Sequence, residues 1–232
     1  CAMLVRTPWS PRRVWFEWRR DGTRLARKVV EKWFLRGRLS NGGSERELLS
    51  LASELHLEEK TLFEWSHKHA VPVKSVSSHN SSSAEAFLKK VNPELILFTG
   101  GGLIRKNILD IPSLGVLNCH SGWLPEYRGM DVLEWAVLQS AGKHPQLGLS
   151  LHFMDSGVDT GPILLRKKVV LTKGETFESL RARMQPMMVE LMAAGVKGLR
   201  DGRLKPHAQL PGQGKQYYVM HPRLRAAARK YL

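Results

Sequence analysis

The sequence has few of the features that identify several large classes of protein. It holds two cysteines, Cys1 and Cys119, which are too few for a disulfide scaffold or a zinc site built from cysteine alone. No apolar run reaches the roughly 18 residues that a transmembrane helix needs, and no signal peptide opens the chain, so we expect a cytoplasmic protein without a transmembrane segment. The spacing G-x-G-x-x-G is also absent around Gly100–Gly102, so a dinucleotide-dependent dehydrogenase is not expected.

Acidic residues are scarce relative to basic ones. The chain has 36 Lys and Arg against 21 Asp and Glu, and its formal net charge at pH 7 is +15. The excess lies in residues 1–40 and 197–232, whereas the middle of the chain is nearly neutral. A basic rim can concentrate an anionic substrate, but it is equally consistent with an ordinary solvated surface.

The residues most suited to chemistry follow a short apolar run at 114–117, which predicts a buried strand. Asn118 and His120 lie at the carboxyl end of this strand. Side chains alternate across a strand, so these two residues point to the same side and can meet at one ligand atom. In open α/β sheets, ligands bind at this end of the strands.

A carboxylate follows a second predicted strand. Asp159 lies between Gly157 and Gly161, and these glycines allow a tight loop that brings the carboxylate close to a ligand. An amide, an imidazole and a carboxylate suit the transfer of a one-carbon acyl group. Asn118 can donate to a developing oxyanion, His120 can move a proton, and Asp159 can orient His120 or take a proton from an attacking amine. No Ser or Cys nucleophile is required.

These residues resemble the 10-formyltetrahydrofolate-dependent formyltransferases. That family has an Asn-x-His, then a Leu-Pro-x-Tyr-x-Gly turn, and downstream an Asp-Gly or Thr-Gly loop. Here N-C-H at 118–120, L-P-E-Y-R-G at 124–129 and V-D-T-G-P at 158–162 occur in that order. The resemblance runs from about residue 92 to the end of the chain. It implies an α/β, Rossmann-like fold with a mostly parallel sheet flanked by helices.

The resemblance also implies a donor and a set of binding residues. The formyl donor would be 10-formyltetrahydrofolate, with Asn118, His120 and Asp159 as the catalytic residues. Tyr127 and Arg128 would face the acceptor, where the guanidinium could hold a phosphate or a carboxylate. The residues that bind the donor would be Gly101, Gly102, Leu103, Ile104, Arg105, Met154 and Val158. The glycine loop can also be interpreted as a plain strand-to-helix turn.

The acceptor implied by the resemblance is a primary amine on a small anionic molecule, of the nucleotide amino-sugar or glycinamide ribonucleotide type. Three alternatives stay open: a formyltetrahydrofolate hydrolase, a methionyl-tRNA formyltransferase, which the basic ends would suit, and a non-catalytic folate-binding protein. Nucleic acid is not the expected partner, and a homodimer is compatible with the sequence. No metal is expected, because Cys119 and His120 are adjacent and point to opposite faces of a strand.

We expect a single domain over residues 1–232, because this length suits one α/β domain with a full core. Within it, residues 1–91 are the divergent part and residues 92–232 carry the motifs. The strand, glycine-bearing loop and helix that open the resembling domains are not recognisable here. We therefore expect the first β-α unit to be missing or much altered.

The remaining pattern predicts alternating strands and helices. A basic amphipathic helix with three Trp, from about 10 to 33, is predicted to cover the sheet rather than to contact a membrane or RNA. His152, in a predicted strand, is expected to be a hydrogen-bonded structural residue rather than a second catalytic group. Gly195 is expected to end a long helix. The apolar run at 94–98 predicts the clearest buried strand of the chain. The other predicted elements are strands at 1–5, 71–76, 147–154 and 162–171, a turn at 41–44, and helices at 45–55, 57–70, 84–91, 130–141, 177–194 and 223–231.

Overall fold

The computed structural model describes residues 1–7, 19, 42–57, 59, 61–100 and 102–232. The amphipathic helix predicted at 10–33 therefore lies outside the described residues, apart from Arg19. Within the described residues, no helix has the length and apolar character needed to span a membrane.

Strands and helices alternate along most of the described chain, which confirms the predicted α/β class. The strands are β1 (Met3–Arg6), β2 (Val73–Val76), β3 (Leu95–Phe98), β4 (Gly115–His120), β5 (Tyr127–Gly129), β6 (Leu147–Phe153), β7 (Ile163–Val169) and β8 (Lys215–Tyr217). The helices are α1 (Gly42–Glu54), α2 (Leu62–Lys68), α3 (Ser82–Val91), α4 (Lys106–Leu109), α5 (Val132–Gln139), α6 (Phe177–Arg200) and α7 (Pro222–Ala228), and a 3₁₀ turn follows at Arg229–Tyr231.

The described strands form three sheets. One has four strands in the order β3-β4-β6-β7, while β1 pairs with β2 and β5 pairs with β8. The pairs β1–β2, β3–β4 and β5–β8 are parallel, whereas β4–β6 and β6–β7 are antiparallel. The register between β4 and β6 places His152 directly opposite Asn118. The four-stranded sheet therefore brings together polar residues that are far apart in the chain.

Strand β4 is held by hydrophobic clusters on its two faces. Leu117 belongs to the larger cluster, which also contains Leu151 of β6 and Phe177 of α6. Val116 belongs to the smaller cluster, which packs around α3, α4 and the end of β3. Each fully buried side chain of this kind contributes roughly 1.5–3 kcal/mol, so β4 is firmly placed where it reaches its polar end.

Helix α6 continues past Gly195, where the sequence analysis expected it to end. Gly195 is buried inside the helix, and a Cβ atom there would collide with the side chain of Leu151. Glycine lets α6 lie close against β6, and this packing outweighs the roughly 1 kcal/mol that glycine costs within a helix. The prediction was wrong because a glycine required by packing was interpreted as a helix stop.

The predicted starts of α1 and α2 were also wrong. Helix α1 begins at Gly42, inside the predicted turn at 41–44. Helix α2 begins at Leu62, later than predicted, because the Thr61 side chain accepts a hydrogen bond from the Glu64 N–H and caps the helix there.

Strand β3 is less buried than its apolar sequence indicated. Leu97, at its centre, is 46% exposed. Among the described strands, β3 pairs only with β4. An apolar run was thus a correct sign of a strand but a wrong sign of full burial.

Candidate active site

The carboxyl end of β4 carries the amide and the imidazole that the sequence analysis singled out. Asn118 and His120 are two residues apart in the strand, so their side chains leave the same face. Leu117 and Cys119 alternate with them and are buried in the larger hydrophobic cluster. The core therefore fixes the backbone that presents the two polar side chains.

Asp159 reaches this face from residues 154–162, the loop between β6 and β7, here called the Asp159 loop. Its Oδ2 atom lies 3.5 Å from His120 Nδ1 and accepts a 2.9 Å hydrogen bond from the Gly129 N–H. Gly161 lies so close to the strand before the loop that a Cβ atom would collide with the Phe153 carbonyl oxygen. The loop is therefore tight, and it brings the predicted acid to the predicted imidazole.

His152 completes this arrangement. Its Nε2 atom lies 3.3 Å from Asn118 Nδ2 and 3.5 Å from Asp159 Oδ1. The ring is fully buried. His152 was expected to be a structural histidine, and no local pattern indicated this contact, because it arises from the register between two strands. We call Asn118, His120, His152 and Asp159 the polar cluster.

Hydrogen bonds to the backbone define which nitrogen of each imidazole carries a proton. His120 Nε2 lies 2.9 Å from the Tyr127 carbonyl oxygen, and His152 Nδ1 lies 2.9 Å from that of Phe153. A carbonyl oxygen only accepts, so these nitrogens carry the proton in each neutral ring. His120 Nδ1 and His152 Nε2 are then bare, and both face the Asp159 carboxylate. The cluster therefore suits an incoming group that brings its own protons.

Burial and charge determine which groups of the cluster are ionised. Burial lowers the pKa of His120 below its ordinary value, against the opposing influence of Asp159. Burial by itself would raise the pKa of Asp159, but the positive charge that His152 and His120 gain when a second proton binds, together with the hydrogen bond from the Gly129 N–H, outweighs it and holds the pKa of Asp159 below its ordinary value. At neutral pH the site thus combines a neutral imidazole with an ionised carboxylate.

The loop after β3 contains four of the described residues predicted to bind the donor. Gly102 has a φ of +106°, a conformation that glycine adopts readily. Leu103 is 67% exposed, Ile104 is buried, and Arg105 is the N-cap residue directly before α4. The Asn80 side chain fixes this loop, because its amide donates to the Leu103 carbonyl at 2.8 Å and accepts from the Arg105 N–H at 2.7 Å.

The other predicted donor residues lie in the Asp159 loop. Met154 packs on the hydrophobic cluster that contains Ile104, so the two predicted donor loops meet at one cluster. Val158 is half-buried. Gly101 lies outside the described residues. A partly apolar surface beside a glycine-bearing backbone suits a flat heterocycle, and the donor role of these residues stays a prediction.

Tyr127 and Arg128, predicted to face the acceptor, lie in β5 beside the polar cluster. Tyr127 contacts His120 through its carbonyl oxygen, while its ring stacks on that of Tyr217 with the centroids 5.3 Å apart. Arg128 is half-buried, and its Nε atom has no hydrogen-bond partner within the described part of the chain. Contact of either residue with an acceptor stays a prediction.

The buried thiol of Cys119 is not suited to act as a nucleophile at this site. Burial raises the pKa of the Cys119 thiol to about 12, so a reactive thiolate is not present at neutral pH. Among the residues that the structure describes, no three His, Cys, Asp or Glu side chains are grouped so as to hold a metal ion.

A cleft of about 610 Å³ adjoins the Asp159 loop. Its walls come from the turn after β4, from β7 and from residues 207–213. The Arg166 guanidinium lies over the Trp123 ring in one wall, 4.7 Å from the ring centroid. Gln209 lines the cleft and also bonds to the Asp159 carbonyl oxygen. The cleft has the volume of a small-molecule site, and Gln209 connects its wall to the backbone of Asp159, although the four residues of the polar cluster do not line it.

Comparison with known families agrees with this geometry. A family model described as formyl transferase matches residues 51–196 of the chain. The chain belongs to the formyl transferase family. This confirms the predicted resemblance and extends it, because the match begins well inside residues 1–91, the part predicted to be divergent.

A curated relative is the methionyl-tRNA formyltransferase of Pelobacter propionicus. It is 35% identical to this chain over 142 residues, which make up 61% of this chain and 44% of the relative. The chain therefore spans less than half the length of the relative that it matches.

Solved structures of formyltransferases share the fold. The formyltransferase PseJ from Anoxybacillus kamchatkensis, solved with UDP-4,6-dideoxy-4-formamido-L-AltNAc and tetrahydrofolate, has a TM-score of 0.55 at 22% identity and covers 70% of this chain and 82% of its own. A sugar N-formyltransferase from Shewanella sp. has a TM-score of 0.56 at 14% identity and covers 83% of this chain and 85% of its own. At these identities the likeness concerns the fold, and it confirms the predicted Rossmann-like architecture.

Proposed function

We propose that this protein transfers a formyl group from 10-formyltetrahydrofolate to a primary amine on a small acceptor. The polar cluster carries the proposal, because it places an amide donor beside bare imidazole nitrogens and an ionised carboxylate. Membership of the formyl transferase family supports a formyl donor. The tetrahydrofolate bound to the structurally similar PseJ supports a folate as its carrier.

In the proposed reaction, Asn118 stabilises negative charge on the formyl oxygen. One N–H of its amide is directed at His152 Nε2, which leaves the second N–H for that oxygen. As the amine nitrogen bonds to the formyl carbon, His120 Nδ1 takes a proton from the amine with the support of Asp159. His120 then returns this proton to the departing folate nitrogen as the carbon–nitrogen bond to the folate breaks.

The predicted donor loops would hold the folate beside this cluster. Gly101 and Gly102 would let the backbone approach the pterin ring closely. The apolar surface for the ring would come from Leu103, Ile104, Met154 and Val158, with Arg105 at the rim. Asn80 would act indirectly, because it contacts the loop backbone and holds it in place.

For the acceptor, we propose an amino sugar on a nucleotide or a compound of the glycinamide ribonucleotide type. The nucleotide-linked formamido sugar bound to PseJ supports this class. The cleft lined by Gln209 has room for part of such a molecule, and the net positive charge would favour an anion. Methionyl-tRNA is the second candidate, because the Pelobacter propionicus relative is named a methionyl-tRNA formyltransferase and is 35% identical to this chain over the matched part.

The test is an assay of 10-formyltetrahydrofolate with separate acceptors: nucleotide amino sugars, glycinamide ribonucleotide, methionyl-tRNA, and no amine. Formylated product and free formate are each measured by mass spectrometry. Product that depends on a small amine supports the proposal, and product from methionyl-tRNA alone supports the second candidate. Formate release without an amine indicates a hydrolase, and folate binding without turnover indicates a non-catalytic protein. Either of these last results contradicts the proposed transfer.

A further inference from the structure

Asp159 has a backbone conformation that residues with a Cβ atom rarely adopt. Its φ of +54° lies in the left-handed region. Such a residue keeps this conformation only where several surrounding contacts fix it. The contacts around Asp159 therefore determine where its carboxylate points.

Gln209 makes the contact on the backbone side. Its Nε2 atom donates to the Asp159 carbonyl oxygen at 2.9 Å and to the Gly161 carbonyl oxygen at 2.7 Å. Because both oxygens only accept, the amide must present its NH₂ group to the Asp159 loop. The Oε1 atom of Gln209 is buried and has no hydrogen-bond partner within the described residues. The side chain is thus placed for its two donor contacts to the loop, even though its acceptor is left unsatisfied.

The segment that carries Gln209 also reaches the carboxylate side of Asp159. His207 forms two backbone hydrogen bonds with Ile163, each 2.8 Å long. Further along, β8 pairs with β5, and the Gly129 N–H of β5 donates to Asp159 Oδ2. We call residues 207–217 the brace. It contacts the Asp159 backbone directly and supports the strand that holds the carboxylate.

We propose that Gln209 is a positioning residue, which holds Asp159 in the orientation that supports His120 during proton transfer. This rests on the proposed function, since that function gives Asp159 and His120 their roles. Without Gln209, Asp159 loses the hydrogen bond to its carbonyl oxygen and keeps only the contacts of its carboxylate. The carboxylate can then move away from the His120 imidazole. A misplacement of about 1 Å can cost a catalytic site on the order of 100-fold in rate.

The first test compares kinetics in the variant Gln209→Leu with those of the wild-type protein. We expect kcat to fall by roughly 10- to 100-fold while KM for 10-formyltetrahydrofolate changes by less than about threefold. The thermal midpoint should stay close to that of the wild type. Gln146→Leu is the matched control, because Gln146 is an exposed glutamine before β6, and it should leave all three quantities unchanged.

The second test does not depend on turnover. The Asp159 charge favours a proton on His120, so displacement of the carboxylate should make His120 titrate at a lower pH in Gln209→Leu. NMR of histidine-labelled protein, with the signal assigned through His120→Gln, follows this titration. If the two hydrogen bonds of Gln209 only stabilised the fold, the titration of His120 would be the same in Gln209→Leu as in the wild type.

The two tests separate the positioning role from the proposed function. If the wild-type protein formylates no amine but the His120 titration still shifts, the proposed function fails and the positioning of Asp159 stands. If the wild type is active, and Gln209→Leu keeps both its kcat and its His120 titration, the positioning role is overturned. Should Gln209→Leu fail to fold, Gln209→Asn, one methylene shorter and unable to reach both carbonyls, is measured in the same way.

Discussion

His152 decides how the amide of Asn118 is oriented. Its Nδ1 proton is committed to the Phe153 carbonyl, so its Nε2 atom accepts, and only the NH₂ side of the Asn118 amide can face it. We expect His152→Leu to lower kcat by up to about 100-fold, and Asn118→Ala by roughly 100- to 1,000-fold. The double variant should be scarcely worse than Asn118→Ala alone, because both changes remove one interaction.

Steady-state kinetics on the single and double variants measure this coupling. His67→Leu is the control, since His67 is an exposed residue of α2, and it should behave as the wild type. If the fold-losses of kcat in the two single variants multiplied in the double variant, His152 would not act through the Asn118 amide.

The pH dependence of the reaction follows from the polar cluster. Burial lowers the pKa of His120 from its ordinary value of 6.5, so the ring stays neutral, and able to take a proton, to a pH below that value. Asp159 is ionised throughout this range, because its pKa lies below 3.8. We expect kcat/KM to stay level from neutral pH to below 6.5 and then to fall as His120 becomes protonated. In Asp159→Asn, the charge that raises the pKa of His120 is gone, so the fall in the residual activity should move to lower pH.

A pH profile of kcat/KM in buffers of constant ionic strength checks this expectation. Loss of activity with a midpoint above pH 6.5 would contradict it, because it would require a raised rather than a lowered pKa for His120.

At the level of single elements, Asn80 holds the loop that leads from β3 into α4. Its two hydrogen bonds join residues 23 and 25 positions apart in the chain, and they fix the backbone of Leu103 and Arg105. We expect Asn80→Ala to raise KM for 10-formyltetrahydrofolate by about 10-fold with a smaller change in kcat, because binding is lost before the chemistry. Asn107→Ala is the control, since Asn107 bonds to Glu85 and not to the loop. An equal rise of KM in Asn80→Ala and Asn107→Ala would contradict the proposed role of Asn80 in holding the loop.

The sequence was informative where local pattern decides structure. Asn118 and His120 could be placed at a strand end from one apolar run and from the alternation of side chains. Gly195 could not be interpreted locally, because its role is to let α6 approach Leu151, and that approach depends on tertiary packing. His152 was missed for a related reason, since its distance to Asn118 depends on the register between β4 and β6.

At the scale of the whole molecule, the C-terminal part folds back over the site in a way that no local pattern predicts. The brace contacts Asp159 and Gly161, which lie 50 and 48 residues earlier in the chain. The Met220 N–H and the Arg225 guanidinium both bond to Asp131, at the start of α5. These links place α7 against α5 and so keep the preceding brace on the candidate active site.

A buried carboxylate joins three helices in this arrangement. Glu134 of α5 is 1% exposed, and Arg181 of α6 contacts both of its oxygens at 2.6 and 2.7 Å. Arg225 of α7 lies 3.5 Å from the same carboxylate. We expect Arg181→Ala to lower the free energy of unfolding by about 3 kcal/mol, because it leaves a buried charge poorly compensated. Adding Glu134→Gln should restore part of this loss, since the uncompensated charge is then removed.

Denaturant unfolding of these variants is best compared with that of Arg229→Ala. Arg229, in the 3₁₀ turn directly after α7, pairs with Glu178 of α6, but the side chains of both residues are about half exposed. An exposed pair of this kind contributes less than about 1 kcal/mol, so Arg229→Ala should be nearly neutral. If Arg181→Ala and Arg229→Ala lowered the free energy of unfolding equally, burial of Glu134 would not explain the contribution of its ion pair to stability. The larger loss expected for Arg181→Ala should also loosen α7, and with it the brace, so formyl transfer should fall at temperatures below the unfolding midpoint.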